Sequence, residues 1–372
     1  MTAPRRPLKV LFLTRYPLDG ASSRYRVHQY LPALEALGVQ CTVQSFMDEA
    51  MYRLSFSPGR TLTKAVMTLR ATVRRMRALL GWRGYDLIYM QRELFPFGPP
   101  WVERWLHRRG AALLFDYDDA LFIKKPSRYN PIATLLRSPS KTLDIFRLVD
   151  CVVAGNDWLR DRAIAEGGQA VTLEVAEDTQ RIAMHAPHSN QRPVTVGWLG
   201  SKSTVKYLRL IEPVLQDLAR AHPGLRFEIV GGGEFEMVGV PWVHTEWSLD
   251  AELKALQRFD IGLMPLPQED WANGKSGGKA RTYMAAGVVP VCQDIGYNRQ
   301  LIRAGETGFL CTTAPQWRDT LERLVADAAL RQQVALAARA DVEQRFSLAR
   351  QAAAMRSLFD HVLARRTGGR ST

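Results

Sequence analysis

Residues Trp271–Val291 read WANGKSGGKARTYMAAGVVPV, a loop, a helix and a strand in succession. The helix is expected from Arg281 to Ala286, ended by Gly287, with a buried strand from Val288. Just ahead of it, Lys275 and Lys279 stand one helical turn apart around Ser276, Gly277 and Gly278. A glycine-rich loop feeding a helix start presents free backbone N–H groups and the positive end of the helix dipole. That arrangement suits a phosphate, and two lysines on one side add charge to it. Taken alone, the lysines fit a solvated surface pair equally well, so the neighbouring segments decide.

Outward from this stretch, strands and helices alternate along the 372 residues, the signature of an α/β protein with parallel sheets. Strands are expected at Lys9–Thr14, Val39–Phe46, Leu87–Tyr89, Ala112–Phe115 and Cys151–Ala154, with helices at Arg26–Leu37 and Trp101–Arg109. Ala186–Pro193 is polar with two prolines and reads as a linker. The pattern then restarts with strands at Val194–Leu199, Arg226–Val230, Ile261–Met264 and Val289–Cys292. Helices are expected at Leu208–Ala221 and Glu252–Phe259, then from Gln316 and near Leu348–Arg365. The division expected is 1–187, 188–345 and a C-terminal helix and tail at 346–372. Two such halves suggest two Rossmann-like domains facing across a cleft, with ligands at the carboxyl ends of the strands.

Composition excludes several classes. Hydrophobic residues make up 46% and charged residues 23%, as in soluble globular proteins. No apolar run approaches the roughly 20 residues of a membrane span. Arg5, Arg6 and Lys9 before Val10–Leu13 mimic a signal peptide, but Arg15 ends the run and a first strand is the better expectation. Cys41, Cys151, Cys292 and Cys311 are scattered, which fits a reducing cytoplasm better than zinc or disulfides. The net charge of +13 concentrates between Arg53 and Tyr85, where eight basic residues meet no acidic one. There Leu62, Val66, Leu69, Val73, Met76 and Leu80 recur at helical spacing. Such a helix either packs its apolar face on its own domain or rests on anionic lipid. No motif interleaves aromatics with these basic residues, which weighs against nucleic acid.

Four strand-end loops are unusual. In the first, Gly20, Ser22 and Ser23 lead into Arg24 and Arg26, and arginine at a helix start opposes the dipole unless it meets an anion. The second is Asp116-Tyr117-Asp118-Asp119, whose crowded carboxylates suit a general base or helix capping. Asp116 and Asp118 also match the D-x-D pattern of metal-dependent sugar transferases, a pattern short enough to arise by chance. The third, Gly197–Lys206, offers Gly200, Ser201, Lys202 and Lys206 to a diphosphate without the G-K-[ST] ending of a P-loop. The fourth is the opening stretch. Trp247 follows a strand of its own and fits either a core wall or a platform for a nucleobase.

Together these motifs resemble the GT-B glycosyltransferases of the family 4, or group 1, class. The resemblance runs from Leu11 to about Phe346 and includes Gly20–Arg26, Gly197–Ser201, Asp260–Pro267, the W-x-x-G-K-x-G-x-K run before Tyr283–Gly287, Gly296–Arg299 and Thr307–Leu310. It implies two Rossmann-like domains with a C-terminal helix crossing back to the first. It also implies transfer of a sugar from a nucleotide-diphosphate donor on the second domain to an acceptor on the first. Carried across, Gly200, Ser201, Lys202, Lys206, Trp247, Lys275, Ser276, Gly277, Gly278, Lys279 and Tyr283 would bind the donor. Gly20, Ser22, Ser23, Arg24 and Arg26 would meet the acceptor. Asp119, then Asp118, are the candidates at the acceptor hydroxyl or sugar face, with Lys279 at the leaving diphosphate.

One departure stands out. The wider family carries two glutamates eight apart, and Gly274 and Thr282 occupy their places here. A retaining outcome, expected of the family, is less secure for it, and Arg281 is expected to offer a different donor contact. The expected protein is a hexosyltransferase needing no metal or cofactor, with the nucleotide sugar as co-substrate. It would be cytoplasmic and peripheral at the inner membrane face, and act on a glycan, polyprenyl-linked or small-molecule acceptor in lipid-linked or surface polysaccharide synthesis. A non-catalytic nucleotide-sugar-binding partner is the alternative.

Overall fold

The computed structural model describes residues 6–57, 59–123 and 139–368. The chain forms two compact units, Met1–Val175 with Leu348–Thr372, and Ala176–Ser347. Each is built on a six-stranded sheet.

In the first unit the order is β2-β1-β3-β4-β5-β6, all parallel. The strands are β1 Leu8–Thr14, β2 Val39–Ser45, β3 Leu87–Gln91, β4 Leu113–Tyr117, β5 Cys151–Ala154 and β6 Ala170–Thr172. β3, β4 and β5 are buried at every residue, as expected of strands covered on both faces. The C-terminal helix Leu348–Gly368 belongs to this unit, with the Phe359 ring 6.3 Å from Phe12 and 6.0 Å from Tyr89.

The basic helix forms at Thr61–Leu80, and the structure corrects which face is inside. Ala71, Arg75 and Leu79 are buried, whereas Leu62, Val66, Leu69, Val73, Met76 and Leu80 are exposed, Leu62 at 79% and Leu80 at 75%. Arg75 donates to Thr14 O at 2.6 Å and Gln44 O at 3.2 Å, and its guanidinium covers the Phe46 ring. Small Ala71 lets the helix approach the sheet, and the Arg75 fork satisfies strand-end carbonyls that a leucine would strand.

In the second unit the order is β12-β11-β10-β7-β8-β9, again parallel. The strands are β7 Thr195–Leu199, β8 Arg226–Val230, β9 Trp242–Thr245, β10 Ile261–Met264, β11 Val289–Gln293 and β12 Phe309–Cys311. One face packs on the helices Glu212–Ala221 and Ala314–Ala326, the other on Gly278–Ala286 and Ala328–Arg345. Glycines make this possible. A Cβ at Gly197 would stand 2.1 Å from the Phe259 ring, and one at Gly262 would stand 2.5 Å from the Tyr283 ring.

The polar stretch Ala186–Pro193 is a strap within this unit rather than a loose linker. Asp260 accepts from Arg192 and from Thr195 N at 2.8 Å, and pairs with His188 Nδ1 at 2.9 Å. His185 stacks on His188 at 4.7 Å, and burial pushes its pKa down to about 4. His185, His188 and Asp260 lie close enough to hold a metal. Both His188 nitrogens and both Asp260 oxygens are already engaged, however, and Arg192 stands among them, so the donor set fits a structural knot.

Candidate active site

β9, β8, β7 and β10 are neighbours, so the loops leaving their carboxyl ends gather along one edge of the second sheet. Glycines draw their backbones together. Gly231 has φ +79°, and a Cβ there would stand 2.2 Å from Gly200 O and 3.0 Å from Trp247 Cβ. A Cβ at Gly200 would stand 2.6 Å from the Trp198 ring and 2.7 Å from Lys279 Cε. The Lys202 stem passes over Gly233 in the same way. The floor of this edge is therefore bare backbone, and lysines stand around it.

Lys279 Nζ lies 5.3 Å from the Trp198 ring centroid, and no described residue gives it a carboxylate partner. Burial first, and then the Lys275 charge, lower its pKa to about 8. An ammonium ion that is half-desolvated beside another cation is poised to take an anion. Lys275 Nζ sits 5.1 Å over Trp271, Trp271 packs on Tyr207 at 5.6 Å, and Lys206 Nζ lies 5.4 Å over Tyr207. This row of rings and lysines joins the loops after β7 and β10. Trp247 is half-buried, and its Nε1 donates to Glu252 at 2.6 Å, which fixes the indole beside Gly231.

The helix that carries Lys279 spans Gly278–Ala286, three residues earlier than expected, with Gly277 at φ +66° before it and Gly287 at φ +72° after it. Arg281, expected at the donor, is fully buried beneath the loop. It donates to Ser276 O at 2.5 Å and lies 5.0 Å from the Phe346 ring centroid. It shapes the Lys275–Gly277 turn from below. Thr282 Oγ1 donates to Glu177 Oε1 at 3.1 Å, so a carboxyl group from another segment stands where the helix has none.

In the first unit, Ser22 Oγ lies 2.8 Å from both Asp118 oxygens, and Arg92 Nη2 is 3.4 Å from Asp118 Oδ1. Arg92 follows β3 at φ +67°, a left-handed conformation that costs a non-glycine residue about 1–2 kcal/mol. Its guanidinium lies 5.6 Å from the Tyr16 ring centroid, and the nearby Tyr16, Asp118 and Asp119 raise its pKa. This backbone holds the Arg92 guanidinium at the strand end, between the Tyr16 ring and Asp118.

Residues 192–327 match the family described as glycosyl transferases group 1. No curated protein matches the chain by sequence. Among solved structures, HepE of Anabaena in complex with UDP and glucose is similar at a TM-score of 0.68 and 15% identity, covering 95% of this chain and 100% of its own. Sucrose-phosphate synthase from Thermosynechococcus elongatus gives 0.68 at 16% identity, covering 96% and 99%. A glycosyltransferase from Rickettsia africae gives 0.68 at 13%, covering 96% and 99%. The fold is that of the GT-B glycosyltransferases.

On this GT-B frame the sequence expectations sort cleanly. Gly200, Lys202, Lys206, Trp247, Lys275, Ser276, Gly277, Gly278 and Lys279 all lie on the strand-end loops and helix start of the second unit, with Ser201 exposed beside them. Tyr283 does not join them. It is fully buried, and its hydroxyl accepts from Leu199 N at 3.1 Å and reaches Leu263 O at 3.3 Å, tying β7 to β10. Arg26, expected at the acceptor, is also corrected. Its Nε donates to Asp116 at 3.0 Å and its Nη1 to Leu173 O at 2.5 Å, all inside the core. Ser23 is buried with Oγ 2.8 Å from Gln91 Oε1, and Gly20 caps the helix Ala21–Arg26.

The remaining acceptor-side expectations lie at the surface of the first sheet's carboxyl edge or just under it. Arg24 is nearly buried, over the Tyr25 ring. Asp119 is half-buried and accepts from Ala120 N at 3.1 Å. Asp116 is enclosed by Arg26 and Tyr89, so Asp116 and Asp118 do not form a paired D-x-D ligand set. Sequence reasoning missed Trp198, Tyr207, Arg92 and Glu177. Trp198 and Tyr207 carried a signal, an aromatic on either side of the Gly200–Lys206 loop; Arg92 and Glu177 carried none.

Proposed function

We propose that the chain is a glycosyltransferase that takes a sugar from a nucleotide-diphosphate donor held by the second unit. Lys279, with Lys275, Lys202 and Lys206, neutralises the diphosphate as it leaves. The Gly200 and Gly231 backbones admit it closely, and Trp247 flanks the nucleoside. The acceptor is met by the strand-end loops of the first unit, with Asp119 at the acceptor hydroxyl and Asp118 held by Ser22 and Arg92. What carries the reading is Lys279. It is a half-buried lysine with no carboxylate partner among the described residues, over Trp198, at a strand-end edge within residues 192–327, which match the group 1 family. Charge stabilisation by lysines, with Asp116 locked in the core, supports transfer without a metal; the family resemblance favours retention. The test is a thermal-shift panel of UDP, GDP, ADP and TDP with their glucose esters, followed by transfer assays. One nucleotide is expected to raise the melting temperature, by an amount equivalent to about 2.7 kcal/mol at a hundredfold excess over Kd. No stabilisation by any of them overturns the donor site. Binding without turnover supports the non-catalytic partner instead.

We further propose that the protein works at an anionic membrane surface, on a lipid-linked or surface-glycan acceptor at the cytoplasmic face. No helix among the described residues is long and apolar enough to cross a membrane. The support is the exposed stripe Leu62, Val66, Leu69, Val73, Met76 and Leu80, flanked by exposed Arg70, Arg74 and Arg77. Apolar side chains beside cations, with no acidic residue on the helix, match the edge of an anionic bilayer. Flotation with vesicles containing anionic lipid is expected to carry the protein upward, and Arg70→Glu with Arg77→Glu to abolish it. Equal flotation of the variant rules the contact out.

A further inference from the structure

Glu177 opens the second unit, its N–H donating to Phe346 O at 2.9 Å, and its side chain is 1% exposed. Oε1 accepts from Thr282 Oγ1 at 3.1 Å and stands 3.9 Å from Arg281 Nε. Oε2 is buried and has no hydrogen-bond partner among the described residues. A buried carboxyl oxygen left unmatched is costly, and it persists where something else is served. The groups around it are Arg281 on the helix Gly278–Ala286, Arg181 on its own segment and Glu252, whose carboxylate holds Trp247. Burial outweighs the arginines and raises its pKa to about 7, so near neutrality it is present as both acid and carboxylate.

Its place on the helix matters. Thr282 lies one turn from both Gly278 and Lys279, on the same side. A Cβ at Gly278 would meet nothing within 4 Å, so the start of this helix is open at Gly278, four residues ahead of the buried Thr282 that holds the Glu177 carboxyl. Three residues of helix separate Lys279 from Thr282 by about 4.5 Å along the axis. A nucleotide sugar whose diphosphate meets Lys279 carries hydroxyl groups at a comparable distance, on the ribose to one side and on the transferred sugar to the other.

We propose that Glu177 is a donor-binding residue whose Oε2 accepts a hydrogen bond from a hydroxyl of the nucleotide sugar. It thereby supplies, from the start of the unit, a carboxyl group that the helix lacks at Thr282. This rests on the donor site proposed above. The ribose and the transferred sugar offer the same chemistry, and the experiment separates them. With the nucleoside diphosphate and the glucose ester that stabilise the unaltered protein, Glu177→Gln weakens binding about tenfold, the loss expected for a hydrogen bond to a charged acceptor. Equal loss for both ligands assigns the hydroxyl to the ribose, and loss for the ester alone assigns it to the transferred sugar.

Thr282→Val removes the bond to Oε1 and leaves Oε2 in place, so it is expected to keep binding within about twofold. Should Glu177→Gln fail to fold, Glu177→Asp withdraws the oxygen by one methylene, keeps the charge, and is read in the same way. Unchanged affinity for both ligands overturns the inference. So does an equal loss in Thr282→Val, which would make Glu177 a support for the helix alone. If the unaltered protein binds none of the panel, the donor site fails and this inference fails with it.

Discussion

Lys279→Ala is expected to lower kcat/KM for sugar transfer about 10²–10³-fold, the usual cost of removing one preorganised group aimed at developing charge. Lys279 is half-buried over Trp198, so no water shell replaces it cheaply when the diphosphate leaves. Its lowered pKa of about 8 adds a signature. The ammonium is charged below that value, so donor affinity in the unaltered protein is expected to fall as pH rises through about 8. Lys279→Arg keeps its charge there and is expected to abolish the falling limb, although its planar fork fits the Trp198 and Gly200 wall poorly. Lys275→Ala is expected to cost less, because Lys275 lies at the edge over Trp271 rather than on the glycine floor. The measurement is kcat/KM against pH for the three variants. An unchanged value in Lys279→Ala removes this lysine from the leaving group.

Asp116→Ala is expected to unfold the first unit at a much lower temperature and to leave nucleotide binding by the second intact. Asp116 and Arg26 are both enclosed, and the Tyr89 hydroxyl also donates to Asp116 at 2.5 Å. Removing the carboxylate leaves the Arg26 guanidinium buried with Leu173 O as its remaining partner, a loss of about 3–5 kcal/mol for a broken buried pair. For a unit of this size that corresponds to a drop of about 6–20 °C in its transition. The second unit has its own hydrophobic clusters on both faces of its sheet. Calorimetry with and without the stabilising nucleotide checks this, since the ligand should move the upper transition alone. A paired Arg26→Met and Asp116→Leu replacement is expected to recover most of the loss, as apolar substitutes for buried ion pairs do. An Asp116→Ala protein that melts like the original shows that the pair is not holding the unit.

The strands that periodicity exposes were legible: β1, β3, β7, β8 and β11 fall within a residue or two of their expected places. β6 and β12 were not, being three-residue edge strands too short to show a period. That the lysines and glycines lie on strand-end loops was legible because loop chemistry is local. Which arginines face outward was not. Arg26, Arg75 and Arg281 look alike in sequence to the exposed Arg70 and Arg77, yet each is buried by partners remote along the chain, such as Asp116, Thr14 O and Glu177. The helix Thr61–Leu80 shows the same limit from the other side. Its leucine stripe carries the stronger pattern, and the sheet selected the stripe of Ala71 and Arg75. Glu177 was invisible for a related reason, since its partners Arg281 and Thr282 lie more than a hundred residues away.

The helix Leu348–Gly368 completes the first unit after the whole of the second has been translated. On the ribosome, the sheet β1–β6 emerges with the Phe12 and Tyr89 side of its core uncovered, because Phe359 has yet to be made. The second unit, continuous from Ala176 to Ser347, can close as it emerges. Biosynthesis thus imposes an order: the second unit matures first, and the first unit is sealed last. During that interval the apolar face awaiting the helix is the segment with the greatest need of a chaperone.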